Sequence, residues 1–232
     1  MQILHISEIH SKVLLIRKPK VYITAKNSFI AKNILEQLDY DFTATTHTEL
    51  DLTSSKAVDT FFKDKYFDYI IHTACAGGRR KNEPQKIFED NFNMFDNLAL
   101  RNKGHYGKFI NFGSGADRLE TWYGKAKRVI RGIIKENPNM INLRLFGCWG
   151  KYEKPDRFPA YCLTHKQVTI EDKLMRYIHV DELVKIVDSI IKHWPIYKRE
   201  ITLGEPVKLS DFAKFLNPKI KVIIKGKGKD YI

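Results

Sequence analysis

Four short runs of this chain are apolar through their centres rather than on alternate positions: KVYIT (20–24), FDYIIHTA (67–74), KFINFGS (108–114) and MINLRLF (140–146). A strand with one wet face alternates apolar and polar residues, whereas a strand covered on both faces does not. Between these runs the apolar period lengthens to that of a helix. Residues 27–38 place Phe29, Ile30, Ile34, Leu35 and Leu38 on one side, after which a shorter strand is read at 41–45. Serines offer a cap for a helix over 54–64, and Asn82 and Pro84 suit the opening of a helix running to about 101. Another helix is read over 120–136. Strands alternating with helices in this way predict an α/β fold: a parallel sheet covered by helices on both faces, in the order 3-2-1-4-5-6.

The rhythm changes after Gly150. YEKPDRFPAY reads as a loop and QVTIED as a short strand; residues 180–193 read as an amphipathic helix. A strand at 199–203, a short helix from Ser210 and a strand at 220–224 follow. Residues 1–19 precede the first strand of the alternation, and within them KVLLI reads as an added edge strand or a packing arm.

Composition narrows the function classes. The 232 residues are 43% hydrophobic, enough for one large domain or for one domain with a small appendage. No run is long and apolar enough to span a bilayer, and the first ten residues lack a secretory pattern, so a cytoplasmic protein is expected. Cys75, Cys148 and Cys162 are scattered, which gives neither metal-ligand spacing nor a disulfide framework. A net charge of +13 favours anionic partners, nucleotides among them. The densest basic run, KIKVIIKGKGK, lacks the interleaved aromatics of a single-strand platform, so nucleic-acid binding rests on charge alone.

The chemistry-bearing constellation is Ser114, Tyr123 and Lys127. Tyr123 and Lys127 are four residues apart, hence on one helical face. A free phenol titrates near pH ~10, too high for proton transfer at neutrality, and a neighbouring ammonium lowers that value. A tyrosine tuned in this way protonates a carbonyl oxygen as hydride reaches its carbon. Ser114, ending the preceding strand, is placed to hydrogen-bond the same oxygen. A Tyr-x-x-x-Lys pair alone is a weak signal; its position after a strand ending in Gly-Ser strengthens it.

Several blocks resemble, in order, those of the NAD-dependent epimerase/dehydratase family of extended short-chain dehydrogenases/reductases. They are ITAKNSFIAKNILEQL, ELDLTSSKAVDTFFKDKYFDYIIHTACAGG, KFINFGSG, YGKAK, LRLFGCWG and YIHVDEL, and they cover about residues 20–215. Keto-sugar reductases of the GDP-fucose synthase type are the most similar branch. The resemblance implies a Rossmann-like domain over 20–150 that binds NAD or NADP. Residues 151–232 would be a small, shortened substrate-binding part packed on it. It also implies a nucleotide-sugar substrate and Ser114, Tyr123 and Lys127 as catalytic trio. Cofactor contacts would come from Ala25, Ser28, Phe29, Ile30, Asp51, Leu52, Ala74, Cys75 and Asn91 together with Tyr123 and Lys127. Arg157 and Arg176 would meet the substrate diphosphate, although the family arginine near YIHVDE falls on Met175. Relatives commonly dimerise through the helices read here at 84–101 and 120–136, whose Ile87, Phe88, Phe92, Phe95, Leu98, Trp122, Ile130 and Ile133 exceed one sheet-facing stripe.

The chain departs from the family pattern at three places. The three glycines of the phosphate turn fall on Ala25, Ser28 and Ala31, and a side chain forced into left-handed geometry costs roughly 1–2 kcal/mol. Ser28 is a possible phosphate donor, and a helix N-terminus still favours an anion. No acidic residue ends the second strand; Thr45 and His47 stand there, which leaves NAD against NADP open. Where related epimerases carry a second Cys/His acid–base pair, this chain has Ala116 and, nearby, Lys151 or Tyr152. These features favour a 4-keto-sugar reductase or C4 epimerase over a 3,5-epimerase. The competing reading is a scaffold or regulatory protein whose worn turn has lost cofactor affinity.

Overall fold

The structure is a computed structural model and describes residues 17–78 and 82–232. The KVLLI segment lies outside the described residues. Eleven strands are described: β1 (Lys20–Thr24), β2 (Asp41–Thr45), β3 (Phe67–His72), β4 (Tyr106–Ser114), β5 (Met140–Leu145), β6 (Cys148–Trp149), β7 (Gln167–Asp172), β8 (Leu174–His179), β9 (Glu200–Thr202), β10 (Glu205–Lys208) and β11 (Lys221–Lys227). The α-helices are α1 (Phe29–Gln37), α2 (Ser55–Phe62), α3 (Lys86–Phe95), α4 (Trp122–Lys135), α5 (Phe158–Thr164), α6 (Val180–Lys192) and α7 (Leu209–Leu216). Wider helical turns over Asp96–Arg101 prolong α3.

The main sheet has six strands in the order β2-β1-β3-β4-β5-β9, and every pairing is parallel. Two apolar clusters cover its faces. One gathers Ile23, Ile34, Ile71 and Leu143 with Leu183, Val187 and Ile190 of α6. The other gathers Tyr22, Val58, Phe62, Phe95, Phe109 and Ile130. Burial on both faces is the physical reason the strands read as unbroken apolar runs.

The expected order needs correcting at both edges. Among the described residues no strand lies beyond β2. Only nine residues separate β2 from α2, and they turn through the Thr46 hydroxyl and the Glu49 carboxylate before Ser54 caps the helix. The opposite edge is completed by β9, which comes from the part of the chain after Gly150. Met175 and its neighbours form β8, which pairs with β10 and β6. YEKPDRFPAY is not wholly loop: α5 starts within it, with Pro159 in the first turn, where a missing N–H costs nothing. A third cluster, around Cys162, Val168, Leu209 and Ala213, packs α5 and α7 on the β7–β11 ribbon. Among the described residues no helix is long and apolar enough to cross a membrane.

Between β4 and α4 the chain is held by charge. Asp117, its side chain 3% exposed, takes two bonds from Arg144 of β5 (2.9 and 2.5 Å) and lies 3.3 Å from Arg131 of α4. Arg131 in turn donates two bonds to Glu200 of β9 (2.5 and 2.6 Å). Removing one partner of such a network strands the others; the cost is about 3–5 kcal/mol. Asp117→Ala should therefore lose stability of that order in urea unfolding; a midpoint within error of the parent would contradict it.

Candidate active site

Two cavities lie along the carboxyl ends of the strands, and Cys75 lines both. The first, of about 330 Å³, is bounded by Ala25 after β1, by Thr45, Thr46 and His47 at the end of β2, and by Leu52 and Ala74. The second, of about 570 Å³, holds Ser114, Tyr123 and Lys127, with Phe29 and Ile30 of α1 on one wall and Arg157, Met175 and Tyr231 on another.

The turn between β1 and α1 keeps the shape a glycine would give it. Ala25 has φ +52°, in the left-handed region. Its carbonyl accepts from Ser28 N at 2.7 Å, and Lys26 N donates to the Thr45 carbonyl at 3.0 Å. Ser28 caps α1, accepting from Ala31 N at 3.3 Å, and its hydroxyl lies 3.4 Å from Thr73 Oγ1. Ser28 thus serves the helix before it serves any ligand. Gly77 and Gly78 also have positive φ (71° and 86°), and a Cβ on Gly78 would lie 3.0 Å from Tyr123 Cζ. Both glycines line the second cavity, and Gly78 lets the backbone lie close against the Tyr123 ring.

The expected site residues fall into three groups. Ala25, Leu52, Ala74 and Cys75 line the first cavity; Phe29, Ile30, Ser114, Tyr123, Lys127 and Arg157 line the second. Asp51 and Asn91 support walls instead of lining them. The Asp51 carboxylate accepts from Thr53 N at 2.9 Å and from Thr53 Oγ1 at 2.7 Å. Asn91 bonds Ala76 N (3.2 Å), Ala76 O (2.8 Å) and Ile87 O (2.7 Å), clamping the loop after β3. Arg176 sits apart, donating to the Gly204 carbonyl at 2.7 Å, while its neighbour Met175 faces the cavity. Neither Lys151, paired with Glu36, nor Tyr152 is among the cavity's lining residues.

Tyr123 stands in the first turn of α4, which Thr121 caps through Gly124 N at 3.1 Å. Lys127, one turn on, is buried (4% exposed) and donates to the Phe112 carbonyl of β4 at 3.0 Å. Its ammonium is 5.6 Å from the centre of the Tyr123 ring. The expected lowering of the tyrosine pKa by this lysine is not what the site produces. Burial raises the Tyr123 pKa, the proximity of Cys75 adds to the rise, and Ser114 opposes it to a smaller extent. Burial likewise lowers Lys127, with Cys75 opposing. Desolvation outweighs the neighbours, so both groups are pushed toward their neutral forms.

Three further groups escaped the sequence reading. Tyr231 reaches the cavity from the far end of the chain, where no local pattern announces it. Glu153, one residue beyond Tyr152, has a side chain 3% exposed and lies 3.1 Å from Arg157. Burial raises it to about 7, against the opposing charge of Arg157. Phe146 packs between Arg144, 4.9 Å from its centroid, and the Tyr231 ring, at 5.2 Å. Two histidines are structural: His72 is 2% exposed and held down to about 3 by burial and then by Lys127, and His179 caps α6.

A phosphate-type turn at the end of β1, a cavity on each side of Cys75 and a tyrosine–lysine pair on α4 define a Rossmann-type nucleotide-binding protein. The model of the NAD dependent epimerase/dehydratase family matches residues 13–199, and the chain belongs to that family. A GDP-L-colitose synthase of Yersinia pseudotuberculosis is 33% identical over 102 residues, 41% of this chain and 33% of that protein. The match therefore spans about a third of that relative's length. Among solved structures, dTDP-4-dehydrorhamnose reductase from Bacillus anthracis in complex with NADP superposes with TM-score 0.78 at 19% identity, covering 93% of this chain and 89% of that one. A GDP-mannoheptose C4 reductase from Campylobacter jejuni with NADP bound gives 0.76 at 17%, covering 93% and 90%. At these identities the likeness is one of fold.

The left-handed alanine gives a direct measurement. A non-glycine residue there costs roughly 1–2 kcal/mol, and glycine costs about 0.4–1 kcal/mol more chain entropy on folding. Ala25→Gly should therefore be neutral to slightly stabilising in thermal unfolding. A clear loss of stability would mean that the turn is not held in this conformation.

Proposed function

We propose that this protein reduces the 4-keto group of a nucleotide-linked sugar, or interconverts C4 epimers through such a ketone, using NADPH or NADH. The observation that carries the reading is the convergence of Ser114, Tyr123 and Lys127 on one cavity that continues, past Cys75, into a second. The residues fit a nicotinamide dinucleotide. The turn at Ala25 keeps a left-handed conformation suited to close approach of a pyrophosphate, and Leu52 and Ala74 give the first cavity apolar walls for a base. Residues 20–150 would then bind the cofactor and 151–232 the sugar, with Arg157 at the diphosphate.

When bound, the cofactor supplies hydride. The chain's own groups handle the oxygen. Tyr123, kept protonated by its surroundings, donates its proton as the carbonyl π electrons move onto oxygen. Ser114 holds that oxygen in place. Lys127, anchored to the Phe112 carbonyl, stands beside the phenolate that remains. A buried, neutral phenol suits the donor role that reduction requires. The names of the relatives, a colitose synthase and two C4-type reductases, point to the same chemistry. The scaffold reading is disfavoured by the turn, which keeps its shape without its glycines.

The reading is of a cytoplasmic homodimer built on α3 and α4. These helices pack side by side and present Trp122 and Val129, 36% and 41% exposed, next to half-buried Phe88, Phe92 and Ile133. Phe95, Leu98 and Ile130 are not available for it, since they are buried in the single chain's own core. Light scattering at tens of micromolar should give twice the chain mass, and a monomer would rule the dimer out.

Titration with NADPH and NADH, followed by turnover of GDP-, dTDP- and UDP-linked keto-sugars, tests the activity. Tyr123→Phe should lower turnover about 10²–10⁴-fold with nucleotide binding nearly unchanged. If neither cofactor binds at millimolar concentration, the scaffold reading replaces this one.

A further inference from the structure

Tyr231 lies far from the trio in sequence and beside it in space. After β11 the chain leaves the ribbon through Gly228 N, which donates to the Asp172 carbonyl at 2.8 Å. It is then fastened to the start of β8 from both directions. The Asp230 carboxylate accepts from Leu174 N at 2.9 Å, and Tyr231 N donates to Leu174 O at 2.8 Å. A bridge to Met175 completes the seat, and the Tyr231 ring meets Phe146 edge-on at 5.2 Å between centroids. The side chain is thereby held in the wall of the Tyr123 cavity.

The hydrogen-bond accounting at Ser114 gives this position its meaning. A serine hydroxyl has one hydrogen and two lone pairs. One lone pair is taken by Ala116 N at 3.1 Å. Ser114 shares the cavity lining with two phenols, Tyr123 and Tyr231, and its hydrogen and second lone pair are left for partners in that cavity. A carbonyl oxygen placed among the three hydroxyls offers them two lone pairs, and accepts more strongly as it gains negative charge.

We propose that Tyr231 is a further substrate-positioning residue, whose phenol donates to the keto-sugar oxygen across from Tyr123 and fixes the ring at the reacting carbon. This rests on the keto-sugar reading above. It gives the chain three hydroxyls at that oxygen, one of them supplied by the segment that follows β11.

The test compares the full chain with Tyr231→Phe, Asp230→Ala and Tyr123→Phe. Tyr231→Phe keeps the ring on Phe146 and removes only the hydroxyl, so its melting temperature and NADPH fluorescence titration should match the parent. Its kcat should fall about 10–10²-fold, a lesser effect than that of losing the proton donor. Asp230→Ala, which loosens the seat and leaves the phenol intact, should raise KM several-fold with a smaller loss in kcat. A second readout needs no turnover. In calorimetry with GDP-mannose against GDP, and dTDP-glucose against dTDP, the parent should gain affinity from the sugar and Tyr231→Phe should lose most of that gain. If Tyr123→Phe is crippled while Tyr231→Phe matches the parent in kcat, KM and the sugar increment, this inference falls alone. If the parent turns over no keto-sugar, the reading above falls; a sugar increment that still depends on the Tyr231 hydroxyl then supports the contact, and an increment indifferent to it, or none, overturns it.

Discussion

The geometry of the site hangs on the carboxylate of Asp117. It lies between Ser114 and Tyr123 in sequence, on the short connection whose path decides whether those two side chains meet. Arg144 approaches it from β5 and Arg131 from α4, and Arg131 continues to Glu200 on β9. One chain of charges therefore joins the connection, the helix carrying Tyr123 and Lys127, and the edge strand contributed by the second half of the protein. Taking such charges out of water is costly, and apolar residues of similar volume often pack as well. An ion network, however, accepts only one arrangement of its members. That restriction holds the β4–α4 connection in register, and Gly115 and Gly124 tighten it: a Cβ on either would meet Phe146 or the carbonyls of Ala116 and Leu119 at 2.2–2.4 Å.

Most of the nucleotide-binding half was legible because its strands are buried on both faces. The runs at 20–24 and 140–146 match β1 and β5 to within a residue, since a largely apolar run bounded by polar turns leaves little choice of limits, and the strand read at 41–45 coincides with β2. The remainder depends on partners remote in sequence. β6 has two residues and exists through its pairing with β8; α5 and α7 are held by the small cluster around Cys162. The order 3-2-1-4-5-6 fails because β3 pairs with β1 and leaves β2 at the edge. The Thr46–Glu49 turn leads straight to α2. Ser114, Tyr123 and Lys127, singled out by their spacing, share one cavity, whereas Tyr231 and Glu153 carry no local sequence signal. Their places follow from how the chain returns to β8 and from a loop that buries a carboxylate.

The turn after β1 illustrates how far a pattern can wear while its geometry stays. The backbone needs left-handed φ at position 25, and alanine supplies it at +52° with the smallest side chain that has a Cβ. The strain is offset locally by the bond from Ser28 N to the Ala25 carbonyl and by the tie from Lys26 N to β2. Lys26 adds a salt bridge of 2.6 Å to Glu49, so the first turn and the end of β2 are fastened twice. The second lost glycine becomes a serine that caps α1, and the third becomes a fully buried alanine. Each replacement is small enough for the helix to keep its distance from the sheet.

Burial in the cavity favours the protonated form of Tyr123, the form that donates a proton to a ketone oxygen. An enzyme that inverts a carbon beside a ketone needs a group to take a proton from that carbon, which calls for an ionised base in the cavity. In the trio, burial raises Tyr123 and lowers Lys127, which favours the neutral form of each. Cys148, raised to about 12 by burial and then by Glu153, is no better suited. Glu153, raised to about 7 by burial, lies 3.1 Å from Arg157 and is not among the residues lining the cavity. A phenol beside the hydroxyls of Ser114 and Tyr231 is what the cavity brings together. In the proposed reaction such a set delivers one proton to a ketone oxygen, or takes it back when a C4 hydroxyl is oxidised, while that oxygen is held in place.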